Sequence, residues 1–210
     1  MGLTIHYNLK FKGTTTEAKK ILEQLRQRAM DLPFHAVGSL IDRKDGDCNY
    51  DGAYEESLKW FLIQGEGMVT VGNLTYCVPA KRLMGFTILV GAGCEPMNVG
   101  FGQYPSFIVP DEKRIKTGYT SGVWYWGSFC KTQFASKEEC GGIPNFLKCH
   151  LTVCKLLRYA KSLGVLEEVN DESDYWTSGD RLALANTVGK WNRGLAELLT
   201  AIKKAGCEPD

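Results

Sequence analysis

The sequence predicts an α+β fold: a mainly antiparallel sheet with an N-terminal βαβ segment and two long C-terminal helices packed on one face. Three observations predict it. Apolar and polar residues alternate at the start of the chain, the middle is a series of short apolar runs punctuated by glycine, and the last third carries two long stretches of helical periodicity.

Leu3, Ile5, Tyr7, Leu9 and Phe11 alternate with polar neighbours, the period of a strand with one buried face. Thr14 stands three residues before Glu17, the spacing of a capping box, in which each side chain takes up a backbone amide that the first helical turn leaves free. Ala18, Ile21, Leu22, Leu25 and Ala29 follow at steps of three and four until Pro33, so residues 15–32 read as an amphipathic helix. Residues 34–41 read as a second strand, and 42–51 as a polar loop rich in Asp, Asn and Gly. The apolar runs 60–63, 68–71, 85–90, 107–109 and 123–126 read as strands of a meander. Pro144 suits the first turn of a helix that runs to Leu163 and stops at Gly164, the favoured left-handed capping residue. A short strand, 165–169, follows. Leu184, Ala185, Val188, Trp191, Leu195, Leu198, Leu199 and Ile202 then define a last helix ending near Gly206, with Ser178 or Asp180 as its cap.

At 210 residues the chain fits one globular domain, and its 44% hydrophobic and 23% charged content argues against disorder or a coiled coil. A formal charge of +1 provides no field toward nucleic acid or an anionic membrane, so neither is an expected partner. No run reaches the roughly 18 apolar residues of a membrane span, and the first residues lack the basic and apolar stretches of a signal peptide. The expected compartment is the cytoplasm. The eight cysteines contain no Cys-x-x-Cys pair and read as reduced thiols.

Chemistry concentrates between Trp124 and Cys154. On a helix, His150 and Cys154 lie one turn apart on one face, and Cys130 or Cys140 from the preceding loop would complete a zinc shell. Against this, Phe146, Cys149, Val153, Leu156, Leu157 and Ala160 form the apolar stripe of that helix, with His150 and Cys154 on its flank. We therefore assign no metal and expect His150 to be metal-free and partly exposed to a pocket. Trp124, Tyr125 and Trp126 cannot all face one side of a strand, so one aromatic ring is available to a second surface, with Lys131 and Gln133 close behind. The segment Gly91 to Gly102 fails the spacing of a phosphate loop and reads as an irregular loop that brings Glu95 toward a site. Asp47-x-Asn49-x-Asp51-Gly52 opens like a calcium loop, but Leu58 stands where its bidentate glutamate belongs.

The run Trp126-Gly127-Ser128-Phe129-Cys130-Lys131-Thr132-Gln133, followed by Asn145-Phe146-Leu147-Lys148-Cys149-His150 and later by Asp171-Glu172 and Tyr175-Trp176, resembles a family of microbial proteins with a W-G-x-F-C-K-T-Q … F-x-x-C-H pattern and no assigned activity. The likeness covers the C-terminal half and implies no catalytic role. From the residues themselves, the expected function is a small-molecule enzyme of hydrolase or transferase type, or a ligand-binding protein. His150, Glu95 and Lys131 would be catalytic, and Gln133, Trp124 and Trp126 would bind the ligand. A noncatalytic protein–protein interaction domain is the alternative. The sequence points to no cofactor and no oligomeric state.

Overall fold

The computed structural model describes residues 3–49 and 55–204. In chain order the elements are β1 (Thr4–Lys12), α1 (Thr15–Met30), β2 (Ala36–Val37), β3 (Ile41–Lys44), α2 (Glu56–Gln64), β4 (Gly67–Val71), β5 (Leu74–Val78), β6 (Arg82–Leu89), β7 (Met97–Gln103), β8 (Phe107–Ile108), β9 (Ile115–Lys116), β10 (Val123–Lys131), α3 (Gly142–Ser162), β11 (Leu166–Asp171), α4 (Tyr175–Ser178) and α5 (Arg181–Lys204). The main sheet has the order β11-β1-β10-β7-β6-β2, with β3 also paired to β6, and its neighbours are antiparallel. The pairs β4–β5 and β8–β9 form small sheets of their own. None of the described helices is long and apolar enough to cross a membrane.

The sequence-encoded ends are in place. Thr14 Oγ1 accepts from the Glu17 amide and Glu17 Oε2 accepts from the Thr14 amide, closing the capping box. At the far end of α3 the Gly164 amide donates to Lys161 O and the Val165 amide to Ala160 O, with Gly164 at φ +72°. This doubly bonded ending satisfies carbonyls that the helix itself cannot. For α5, Asp180 rather than Ser178 is the cap, its Oδ1 accepting from the Leu182 and Ala183 amides. Gly206, where the sequence placed the end of this helix, lies outside the described residues, as do Asp51, Gly52 and Cys207.

α3 packs against α1, β11 and α5, forming the C-terminal helix pair on the sheet. β6 is buried on both sides, Leu83, Met84, Gly85 and Phe86 alike, because α2 covers one face and α1 approaches the other. Two expectations are corrected here. Residues 60–63, read as a strand, are part of α2: the apolar run Trp60-Phe61-Leu62-Ile63 hid a helix with acidic Glu56 in its first turn. The segment Gly91 to Gly102, read as a loop throughout, is strand from Met97 onward. Its glycines serve packing. A Cβ on Gly100 would come within 2.9 Å of the Trp126 ring, and one on Gly85, opposite it, within 2.7 Å of the Phe61 ring and 2.3 Å of Val99 O. Bare backbone at these positions lets two aromatic rings lie flat on the sheet.

Candidate functional site

The site grows out of a weakness in the sheet. β10 and β7 share a single backbone pair, Tyr125 with Gly102, and side chains join the rest of that seam. Trp126 Nε1 (2.9 Å) and Tyr7 OH (2.6 Å) both donate to the carbonyl of Asn98, using both of its lone pairs. Burial pushes the Tyr7 phenol up, so it remains a donor. The Asn98 side chain accepts from Thr87 Oγ1 (2.6 Å) and donates to Gln64 Oε1 (3.0 Å), which also accepts from Ser128 Oγ (2.6 Å). Five elements, β1, α2, β6, β7 and β10, are thus tied together, and the Trp126 ring stacks on Phe61 at 5.0 Å.

Above this network a cleft of about 760 Å³ opens between α2 and the β1–β10 face, where His6, Asn8, Tyr125 and Phe129 project. A second cavity of about 280 Å³ adjoins it, sharing Trp60, Gln64 and Phe129 and reaching Glu95, Pro96 and Asn98. Trp60 (49% exposed) and Phe129 (38%) stand where the two meet. Glu95 Oε2 is enclosed by protein yet has no hydrogen-bond partner among the described residues. An enclosed acceptor in that condition costs about 1–3 kcal/mol, and more if charged. Two acidic side chains, Glu66 and Glu95, line the combined space, and no lysine or arginine among the described residues does.

His150 lies elsewhere. Instead of facing a pocket it is fully buried, because β11 and the turn after it close over the flank of α3. Its Nδ1 is 2.9 Å from Thr132 Oγ1, and its Nε2 is 3.2 Å from Asp171 Oδ2 and 3.1 Å from Ser173 Oγ. An ionised carboxylate only accepts, so Nε2 carries a proton. Asp171 is completed by the amides of Ser173 and Trp176 and by the Ser173 hydroxyl. Burial alone would raise its carboxyl; the His150 hydrogen bond and charge, then the Ser173 bonds, outweigh that and bring it down to about 2. His150, Cys154 and Asp171 offer three atoms within 4.8 Å of one another, the donor types that hold zinc. Imidazole and carboxylate are already satisfied by protein groups, so the network is a closed clamp joining α3, β11 and the residue that follows β10. Neither Cys130 nor Cys140, the thiols weighed in the sequence for a zinc shell, joins these three atoms among the described residues: Cys130 Sγ donates to Glu95 O at 3.4 Å, and burial pushes its thiol up.

No family model, curated protein or solved structure matches this chain.

The six residues singled out in the sequence therefore separate. Glu95 and Trp126 line the cleft or its deep arm. Trp124 is buried and donates through Nε1 to Gly13 O, fixing the entry to α1. Gln133 is buried, its Oε1 accepting from the Leu3 amide. Lys131 sets its ammonium over the Phe134 ring at 4.7 Å. The expected Glu95–His150 acid–base pair is absent, Asp171 taking the place given to Glu95. Sequence reasoning missed Trp60, Gln64 and Phe129. The spacing of Leu58, Phe61 and Leu62 was the available signal for a helix that would present Trp60 and Gln64 on its other sides. Phe129 was legible only as one more aromatic.

Proposed function

We propose that this protein binds a small organic cation bearing N–H donors, an alkylammonium or guanidinium, in the cleft under α2, with Glu95 as its counter-ion. The enclosed, unpartnered Glu95 Oε2 carries this reading, since a ligand N–H there would remove the cost of leaving it unbonded. Two further features agree with it. Trp60 and Phe129 line the same cavity as the acid, aromatic surroundings that attract a desolvated cation, and the acidic lining disfavours anions. The deep arm, about 280 Å³, suits a compact head group, and the wider cleft leaves room for a tail. Binding is favoured over hydrolysis or group transfer because His150, the expected base, is committed to Asp171 and Thr132.

Three probes of equal chain length test the reading: butylammonium, butanol and butyrate, titrated at neutral pH and low salt while the fluorescence of half-exposed Trp60 is followed. Butylammonium should bind saturably, butanol about tenfold more weakly or worse through loss of the charge-assisted bond and cation–π contact, and butyrate not at all. Equal binding of butylammonium and butanol, or a preference for butyrate, contradicts the proposal.

A further inference from the structure

The second acid of the cleft, Glu66, stands just past the end of α2. The Gly65 amide closes that helix on Phe61 O and Leu62 O at 3.0 and 3.1 Å, and two tyrosines then hold the residues on either side of Glu66. Tyr104 OH donates to Gly65 O at 2.8 Å, and Tyr119 OH accepts from the Met68 amide at 3.3 Å. Their rings stack at 4.3 Å, and a Cβ on Gly67 would stand 2.9 Å from both tyrosines. Tyr125 meets the Tyr119 ring edge-on at 5.1 Å, and all three tyrosines line the cleft together with Glu66. Glu66 is half-buried, and its carboxylate has no ion-pair partner among the described residues.

Glu95 lies toward the other end of the same space. Its amide donates to the carbonyl of Lys131, the last residue of β10, whereas the Tyr104 ring that holds Gly65 folds over Gly102, the partner of Tyr125. The six steps of strand from Tyr125 to Lys131 cover about 20 Å. With both glutamate side chains reaching inward, roughly 10–15 Å separates the carboxylates. We propose that the ligand of the cleft is a linear diammonium, an α,ω-diamine or a longer polyamine with terminal charges about that far apart. One end pairs with Glu95 in the deep arm and the other with Glu66 beside the tyrosine rings, a carboxylate with aromatic neighbours being the surroundings a cation prefers. The inference rests on the cation-binding reading and adds a second charge to it. Trp60, Ile63 and Phe129 line the same space and suit the methylene chain. A second tethered contact adds affinity because the first has already met the entropy cost of association.

Calorimetric titration of matched diammonium and monoammonium probes into the wild-type protein, Glu66→Gln and Glu95→Gln at neutral pH and low salt tests this. Octane-1,8-diammonium, about 11 Å long when extended, should bind the wild type about fivefold or more tighter than octylammonium. Butane-1,4-diammonium is too short to reach both acids, and it should show only the roughly twofold advantage over butylammonium that two equal ends confer. Glu66→Gln should cut the advantage of the octane diammonium to about that same factor of two. Equal binding of the two octane probes to the wild type, an advantage that survives Glu66→Gln, or the same advantage for the butane diammonium would each overturn the proposal. Octylammonium binding that Glu95→Gln weakens upholds the cation reading whether or not the diammonium is preferred, so the two can fail separately. Absence of binding by every probe overturns both.

Discussion

Replacing His150 by alanine should lower the unfolding free energy by about 3–5 kcal/mol, the range seen when one partner of a buried charged pair is removed. The imidazole is wholly enclosed, and its loss takes one donor from the buried Asp171 carboxylate and the side-chain partner from the buried Thr132 hydroxyl. Urea unfolding reads the effect as a shift in midpoint at unchanged slope. The acid side of the stability profile carries a second signature. Folded Asp171 releases its proton at about 2, below the roughly 3.9 of an unfolded aspartate, so its contribution is fully present above the unfolded value. It is lost as the pH falls from about 4 through about 2. In the alanine variant the carboxyl loses the partner that holds it down, and the decline across that window should flatten. Near-wild-type stability of His150→Ala would show that the clamp is not structural.

Trp126→Ala should cost about 3–5 kcal/mol, the usual range for emptying a buried tryptophan site. It removes the ring that lies between Gly100 and Phe61 and leaves the Asn98 carbonyl with one donor instead of two. Trp126→Phe keeps an aromatic ring at the seam but loses the Nε1 bond and part of the indole volume, so it should cost less than alanine, about 1–3 kcal/mol. The gap between the two variants measures how far the seam depends on the ring as opposed to the hydrogen bond. Equal losses would mean that the polar network alone joins β7 to β10.

How much of this was written in the sequence depended on the range of the interaction. The alternation of β1, the Thr14–Glu17 box and the Gly164 stop are local devices, each satisfied within a few residues, and they could be read directly. α2 was misread as a strand because four consecutive apolar residues fit either period, and only Leu58, three positions before Phe61, favours the helix. β7 was hidden by Gly100 and Gly102; the purpose of Gly100 appears only when Trp126 arrives from β10, and that of Gly102 only when the chain folds the Tyr104 ring back over it. The same holds for the candidate sites. His150 was visible as a residue of interest, but its partner Asp171 is brought to it by the pairing of β11 with β1, which sets Asp171 opposite Ile5. Glu95 was visible as a carboxylate, while the helix that roofs it was misread.

The cation-binding reading is tested most directly by calorimetric titration of butylammonium into the wild-type protein and Glu95→Gln, with thermal unfolding of both in the absence of ligand. The glutamine side chain would keep the shape and lose the charge. The variant should bind about tenfold more weakly or worse, from loss of a charge-assisted hydrogen bond of roughly 1.5–3 kcal/mol. Its melting temperature should be equal to or above that of the wild type, because the charge on an enclosed carboxylate with no partner for Oε2 among the described residues has been removed. Butylammonium binding to Glu95→Gln as tightly as to the wild type, or failing to bind the wild type at all, would contradict the account.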